Sequence, residues 1–351
     1  MIDIAPRRHS RAGLFTPFAL LLIVLAGWTV WWFYLAGQVE DRLNVQAEAL
    51  RQDGWQVAYT GEGVSGWPFR TRVEADNVSI TAPSGHALAA PNLVAETNAW
   101  NPDKWVLIAT DGLTLTRAGK GKVGIRGDAL RASVHGLTQR WPNVAVELSG
   151  PEFTALSGAE AFPISRAAKI EFYLRPHLAP ARSPGVETSV DILFRLMDAE
   201  GRTGGPVEGM AQNGRLTAQI ETVVENADQL TGADAAGIFS AWTRAGGRFI
   251  DVRGEMSAGE SRATLSSDML SARPDGRLEG QIALTAARPL PAIVGLARSG
   301  SSVVNRTGAA GAAAASAIAG GAGDDVDLTL VFRDGRTFLG PFALAPAPKL
   351  F

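Results

Sequence analysis

Residues 14–35 form an uninterrupted apolar run, and this run limits what the chain can fold into more than any other feature. Its sequence is LFTPFALLLIVLAGWTVWWFYL, 22 residues without a charge. At ~1.5 Å per residue a helix of this length reaches ~33 Å, enough to cross a hydrocarbon core of ~30 Å. A soluble core helix this long normally has a polar stripe. The run therefore predicts a transmembrane helix over residues 14–35.

The charges on either side of the run predict its orientation. Arg7, Arg8 and Arg11 precede it, whereas Glu40 opens the charged segment that follows. Positive flanks stay in the cytoplasm. We therefore expect a cytoplasmic tail at residues 1–13, a single span in the inner membrane, and the main domain in the periplasm.

A cleaved signal peptide is the alternative interpretation of the same run. Signal peptides have shorter apolar cores and a cleavage site of the A-x-A type. Here Tyr34 would occupy the −3 position for cleavage after Ala36. An uncleaved anchor is the favoured interpretation.

Residues 36–54 predict a juxtamembrane helix. Val39, Leu43, Ala47 and Leu50 recur on one helical face, and Gly54 is suited to end the helix. Two interpretations remain open for this helix. It is either a stalk that packs on the following domain or a helix that binds a partner.

From residue 55 to residue 351 the pattern is typical of β structure. Short segments of alternating polarity are separated by turn residues, which predicts a mainly β fold: a large, antiparallel, curved sheet, in one domain or two subdomains. One or two short helices are expected, over residues 233–245 and 290–298. Residues 101–103 predict a turn. Residues 308–323 are almost all Gly and Ala, which favours a flexible loop over a frayed helix.

Composition argues against several classes of function. The chain has no cysteine, which excludes disulfides, thiolate metal sites and cysteine nucleophiles, and its net charge of −2 gives no general attraction to nucleic acid. His86, His135 and His177 lack metal-ligand spacing. The cluster Asp324, Asp325 and Asp327 favours a solvated strand entry over a Ca²⁺ site. No hydrolase, metalloprotease or phosphate-loop motif is present, so we expect no catalytic residues, cofactor or metal.

Aromatic residues provide the candidate site. Tryptophans are frequent in the first β region, and aromatic side chains on a sheet either line a lipid-binding groove or belong to the core and its edges. Both interpretations stay open. The candidate groove residues are Trp67, Pro68, Phe69, Arg70, Trp100 and Trp105.

The segment GVSGWPFR at residues 63–70 resembles a known family. Together with Asn101-Pro102, the helical segment followed by Gly246-Gly247, and the closing Asp334-Gly335, it is similar to the bacterial envelope family called domain of unknown function 2125. That resemblance implies a membrane-anchored, β-rich protein without an assigned activity, and it implies no catalytic residues. The Gly/Ala tract looks like an insertion relative to the family pattern. A looser, fold-level similarity links the chain to AsmA-like envelope proteins.

These observations predict a non-enzymatic protein that binds lipid or acyl chains, or otherwise maintains the envelope. The alternative is a scaffolding protein that binds other envelope proteins through sheet edges or the juxtamembrane helix. The expected partners are the membrane, lipid and envelope proteins, and nucleic acid is not among them.

Overall fold

A computed structural model of the protein describes residues 12–178, 188–212, 214–319 and 325–351. The three arginines before the apolar run lie outside these residues. The predicted span and the juxtamembrane helix form one continuous helix, α1, Ala12–Gln52. It is the one described helix that is long and apolar enough to cross a membrane.

Helix α1 ends at the predicted glycine. Gly54 has a φ of +85°, a left-handed conformation that costs glycine little. Its N–H donates to the carbonyl of Arg51 at 3.0 Å, and the N–H of Trp55 donates to the carbonyl of Leu50 at 3.0 Å. These two bonds form the Schellman arrangement that satisfies the last helical carbonyls.

The described residues contain nineteen strands, which all join one antiparallel sheet. The strands are β1 Gln56–Ser65, β2 Arg70–Thr81, β3 Ala87–Asn98, β4 Asn101–Ala109, β5 Leu113–Arg117, β6 Gly121–Arg126, β7 Ala129–His135, β8 Asn143–Ser149, β9 Glu152–Ala155, β10 Ile164–Arg166, β11 Lys169–Pro176, β12 Val190–Gly201, β13 Leu216–Val224, β14 Arg248–Ala258, β15 Ser261–Ala272, β16 Leu278–Ala287, β17 Asp325–Arg333, β18 Arg336–Leu339 and β19 Phe342–Pro346. The mainly β fold with a large antiparallel sheet is confirmed.

The sheet divides into two branches and then rejoins. Strands β1, β2 and β3 pair in order, and β3 pairs with β4 at its C-terminal end and with β5 at its N-terminal end. One branch runs β4-β7-β8-β11 and the other β5-β6-β9-β10. Both branches pair with β12, and β12 to β19 then follow as a simple meander.

Four short α-helices follow α1 in the described residues, more than the one or two predicted. They are α2 Pro206–Ala211, α3 Ile238–Arg244, α4 Pro289–Arg298 and α5 Arg306–Ala319, with one 3₁₀ turn at Ala227–Gln229. The prediction of α4 is confirmed, and α3 is shorter than predicted. Helix α2 has no counterpart in the sequence-based prediction, because its six residues are too few to show a helical period.

The prediction of a flexible loop in the Gly/Ala tract is wrong for residues 308–319, which belong to α5. Ala309 and Ala312 are buried, and they pack with Leu339 and Leu344 of the last strands. Glycine is required where α5 approaches β19, since a Cβ at Gly308 would lie 1.9 Å from the carbonyl oxygen of Ala343. Tertiary packing thus outweighs the low helix propensity of glycine. Residues 320–324, which include Asp324 of the carboxylate cluster, lie outside the described residues.

The predicted turn at residues 101–103 is also wrong. These residues open strand β4, and the chain reverses earlier, at Ala99 and Trp100, between the paired residues Asn98 and Asn101. Pro102 is tolerated within the strand because it lies near the strand's start. Its carbonyl accepts a hydrogen bond from the indole N–H of Trp105 at 3.0 Å.

Candidate functional site

A single row of apolar residues crosses most of the sheet. Each member is paired directly with the next across neighbouring strands, so all their side chains lie on one face. We call this set the apolar row. Its thirteen members are Val64, Val73, Ala95, Leu107, Ala132, Val146, Phe172, Phe194, Ile220, Gly254, Leu265, Leu284 and Leu328. At ~4.8 Å per strand its twelve steps extend ~58 Å.

The next row on the same face is apolar as well. It lies two residues along each strand and comprises Leu130, Leu148, Ile170, Leu196, Ala218, Met256, Ala263, Ala286 and Val326. The face that these two rows share, which we call the apolar face, is therefore apolar over a wide area.

The opposite face is polar. We call the corresponding set the polar row: Arg131, Glu147, Glu171, Arg195, Gln219, Glu255, Thr264, Thr285 and Asp327. Asp327 accepts a hydrogen bond from the hydroxyl of Thr285 at 2.8 Å. Water can solvate such a face, so the sheet is amphipathic from β7 to β17.

A network of ion pairs holds the polar row together. The ammonium of Lys169 lies 2.7 Å from a carboxylate oxygen of Glu147 and 2.7 Å from one of Glu171. The hydroxyl of Tyr173 donates to Glu171 at 3.1 Å. The hydrogen bond from Lys169, aided by that from Tyr173, holds the pKa of Glu171 below its usual value although burial opposes the shift. The two glutamates raise the pKa of Lys169.

Helices cover both margins of the apolar face. Helix α2 packs its Val207 in a cluster with Leu196 and Leu216, and α3 places the fully buried Trp242 in a cluster with Val190 and Val224. Helices α4 and α5 pack over the last strands, in contact with Leu328. The covered margins leave a strip between them.

The strip between the margins is open in the part of the chain that the structure describes. Seven residues of the apolar row belong to none of the buried clusters, and two of them, Gly254 and Leu284, lie toward the last strands. The other five lie between β4 and β13, and we call them the open segment: Leu107, Ala132, Val146, Phe172 and Ile220. Four of them are half-buried, and the fifth, Ile220, is 37% exposed. Uncovered apolar side chains in such an extended line are typical of a surface that binds an apolar ligand.

The apolar row begins at helix α1. Val64, Val73 and Ala95 pack in one cluster with Trp32 and Leu35, near the end of the apolar run of α1. The row therefore leads from the helix that could span a membrane toward the open segment.

The loops nearest α1 are tied to it by tryptophan side chains. The indole N–H of Trp28 donates to the carbonyl of Pro68 at 2.7 Å, and that of Trp32 donates to the carbonyl of Arg70 at 2.8 Å. Trp31 makes a longer contact, 3.4 Å, with the carbonyl of Ala99. Four of the six candidate residues, Trp67 to Arg70, thus lie in or beside the β1–β2 loop that docks on α1.

The aromatic candidates in these loops point outward. Trp67, Phe69 and Trp100 are 48%, 64% and 61% exposed. The rings of Phe69 and Trp100 make an edge contact with centroids 6.5 Å apart. Gly66 makes the tight β1–β2 loop feasible, because its φ is +101° and a Cβ there would lie 2.8 Å from the carbonyl oxygen of Arg70.

The structure therefore separates five of the six candidate residues from the open segment. Trp105 lies on the apolar face, half-buried against the α1 cluster. Arg70 pairs with Glu96 at 3.2 Å on the sheet surface. The other four form the loop tips beside α1, so the candidates gather at one end of the apolar row.

Sequence reasoning missed two sets of residues. The open segment was invisible because its members meet only through strand register. The docking face of α1 had a local signal: Trp28, Trp32, Leu35 and Val39 recur at helical spacing, and three of them are buried in the cluster with the sheet.

The polar groups of the described residues provide less evidence for a functional site. No group of three or more His, Asp or Glu side chains there could hold a metal ion. A cavity of about 470 Å³ lies near the chain's end, lined by Arg273, Arg277 and Asp334 among others. Two of its arginines, Arg273 and Arg277, each lie 3.8 Å from the Asp275 carboxylate.

Comparison with protein families identifies one match, a family model described as "Uncharacterized protein conserved in bacteria (DUF2125)", over residues 32–348. No curated protein and no solved structure matches the chain. The similarity to AsmA-like proteins stays a prediction. The family match begins at Trp32, the residue that docks α1 on the sheet, and covers the whole sheet.

Proposed function

The chain belongs to the DUF2125 family of uncharacterized bacterial proteins, and we propose that this member binds lipid or acyl chains on the apolar face of its sheet while α1 anchors it in the inner membrane. The main domain lies in the periplasm in this proposal, as the arginines before the apolar run favour. The function is binding rather than catalysis.

One observation above all supports the proposal: the apolar row is continuous from the α1 cluster to the open segment. An acyl chain that leaves the bilayer beside α1 would meet apolar side chains at every strand. Each buried methylene group contributes ~0.8 kcal/mol, so ten methylenes on the row would gain ~8 kcal/mol before ordering costs.

The polarity of the two faces adds support. A ligand on the apolar face would cover surface that water solvates poorly, whereas the polar row opposite already has its ion pairs. The open segment from β4 to β13 spans five strand steps, ~24 Å, which is room for an extended hydrocarbon chain.

Scaffolding through the sheet edges has less support. Strand β1 is contacted by α1, and Arg51 of that helix donates to the carbonyl of Val57 at 3.1 Å. At the other edge the side chain of Asn305 donates to the carbonyl of Ala343 at 2.8 Å, and α5 packs on β19. Both edges therefore have contacts that hinder the addition of another strand.

Site-specific photo-cross-linking in cells tests the proposal. A photoreactive phenylalanine analogue replaces Phe172 in one variant and Tyr173 in the other. These adjacent residues are both half-buried aromatics, but they lie on opposite faces. After irradiation and purification, mass spectrometry should find lipid adducts on the Phe172 variant and few or none on the Tyr173 variant.

Two results would contradict lipid binding on this face. One is equal adduct formation at both positions, which would indicate non-specific exposure to lipid. The other is an adduct at position 172 with protein only, which would instead support the scaffolding alternative.

A further inference from the structure

Strand β1 returns to the level of the apolar run of α1. The part of α1 from Trp32 to its end at Gln52 advances by twenty residues, which is ~30 Å of helix. The ten residues of β1 run back alongside that helix, and they cover ~34 Å. The hydrogen bonds from Trp28 and Trp32 to the β1–β2 loop confirm that the loop lies at the level of these residues.

Residues 28–32 lie near the end of the apolar run at residues 14–35. If that run spans the hydrocarbon core, this level is the boundary between acyl chains and headgroups, where tryptophan side chains are favoured. The loops that dock there expose three large aromatic side chains, Trp67, Phe69 and Trp100. The rings of Phe69 and Trp100 are in edge contact, and in water the three side chains would leave an exposed apolar surface at the tip of the sheet.

We infer that Trp67, Phe69 and Trp100 form a second membrane contact, which inserts into the interface of the same bilayer that α1 spans. We call these three residues the aromatic tip. With α1 alone the domain could rotate about its tether, whereas a second contact holds the start of the apolar row against the bilayer. The inference rests on the anchoring by α1, and it is independent of lipid binding at the open segment.

The occupant is the bilayer interface rather than another protein for two reasons. The aromatic tip is continuous with the tryptophans of α1, because Phe69 and Trp100 flank the carbonyl groups that Trp31 and Trp32 contact. In addition, the side chains combine apolar rings with indole N–H groups, which suits a region that is apolar on one side and hydrated on the other.

The absence of cysteine makes a direct test simple, because single cysteines can be labelled without background. Phe69→Cys, Trp100→Cys and the control Leu156→Cys each receive an environment-sensitive fluorophore in the full chain, reconstituted in phosphatidylcholine–phosphatidylglycerol vesicles. Leu156 is likewise exposed, at 42%. Leu156 follows Ala155, which strand register places level with Leu88 near the start of β3. It therefore lies ~33 Å from the loop after β3 that carries Trp100.

Lipids brominated in the upper part of their acyl chains should quench the labels at positions 69 and 100 severalfold more than the label at 156. Equal quenching at all three positions, or none at 69 and 100, would overturn the inference. Flotation of the same vesicles reports anchoring separately. A chain that floats with its vesicles but has unquenched tip labels would refute the aromatic tip alone, and circular dichroism of each variant checks that it has folded.

Discussion

The docking of the sheet on α1 depends most on Trp32, and truncating this residue should release the first hairpin (β1 and β2) together with the C-terminal end of β3. Trp32 is 4% exposed, and it packs with Leu35 and Val73 while its indole N–H donates to Arg70. Truncation of a buried Trp to Ala costs ~3–5 kcal/mol. At 1.4 kcal/mol per factor of ten, the lower value makes undocking ~140-fold more frequent.

Hydrogen–deuterium exchange of the full chain in nanodiscs measures this opening. In the Trp32→Ala variant, amides of residues 64–73 and 95–99 should exchange ~100-fold faster, whereas peptides from β14 to β16 should not change. Trp32→Phe keeps an aromatic ring but loses the N–H. This loss costs ~1 kcal/mol, which predicts only a ~5-fold acceleration.

The neighbouring residue supplies the matched control. Trp31 is 45% exposed and its contact with Ala99 is long, so Trp31→Ala should accelerate exchange less than ~5-fold. If both alanine variants behaved alike, or if neither altered exchange in the first hairpin, the docking of the sheet on α1 through Trp32 would be refuted.

Two further variants test the polar row and the helix contacts. Glu171→Gln should reduce stability at pH 7 by ~1–3 kcal/mol, because it removes the buried partner of Lys169. Because the pKa of Glu171 is lowered in the folded chain, its contribution to stability is present above pH ~4.5 and is lost as pH falls further. The denaturant midpoints of the unmodified chain and of Glu171→Gln should therefore converge in acid. A difference between the midpoints that stays constant with pH would contradict this account. Gly295→Ala should lower the thermal midpoint, because its Cβ would lie 1.7 Å from the carbonyl oxygen of Gly209 where α2 and α4 cross. Gly37→Ala, whose Cβ would meet no atom within 4 Å, should leave that midpoint nearly unchanged.

Local signals predicted much of the fold. The uncharged run and the helical spacing after it predicted α1, and Gly54 predicted its end, because these features act through the bonds and contacts of a few neighbouring residues. The alternation of polarity predicted strands for the same reason. The predictions failed where packing against residues distant in the sequence outweighed a local preference. The glycines of α5 favour a loop in isolation, yet Gly308 allows the helix to contact Ala343.

The sequence named candidate residues, but not where the fold places them. Trp67, Phe69 and Trp100 were named as candidates, but the hydrogen bonds that tie their loops to the tryptophans of α1 depend on β1 running back along that helix. No local pattern specifies that path. The open segment was not predicted. Val146 and Phe172 are ordinary strand residues until pairing places them side by side.

The sequence by itself determined a long apolar helix, its end at a glycine, and strands with one apolar and one polar side. Only the tertiary structure decided which strands are neighbours, which part of the apolar face stays open, and which loops lie beside the helix. The physical reason is that the alternation of polar and apolar residues along a strand specifies only that the two faces of the sheet differ. The register between neighbouring strands depends on hydrogen bonds between residues far apart in the chain. The apolar row exists only when twelve such registers are combined.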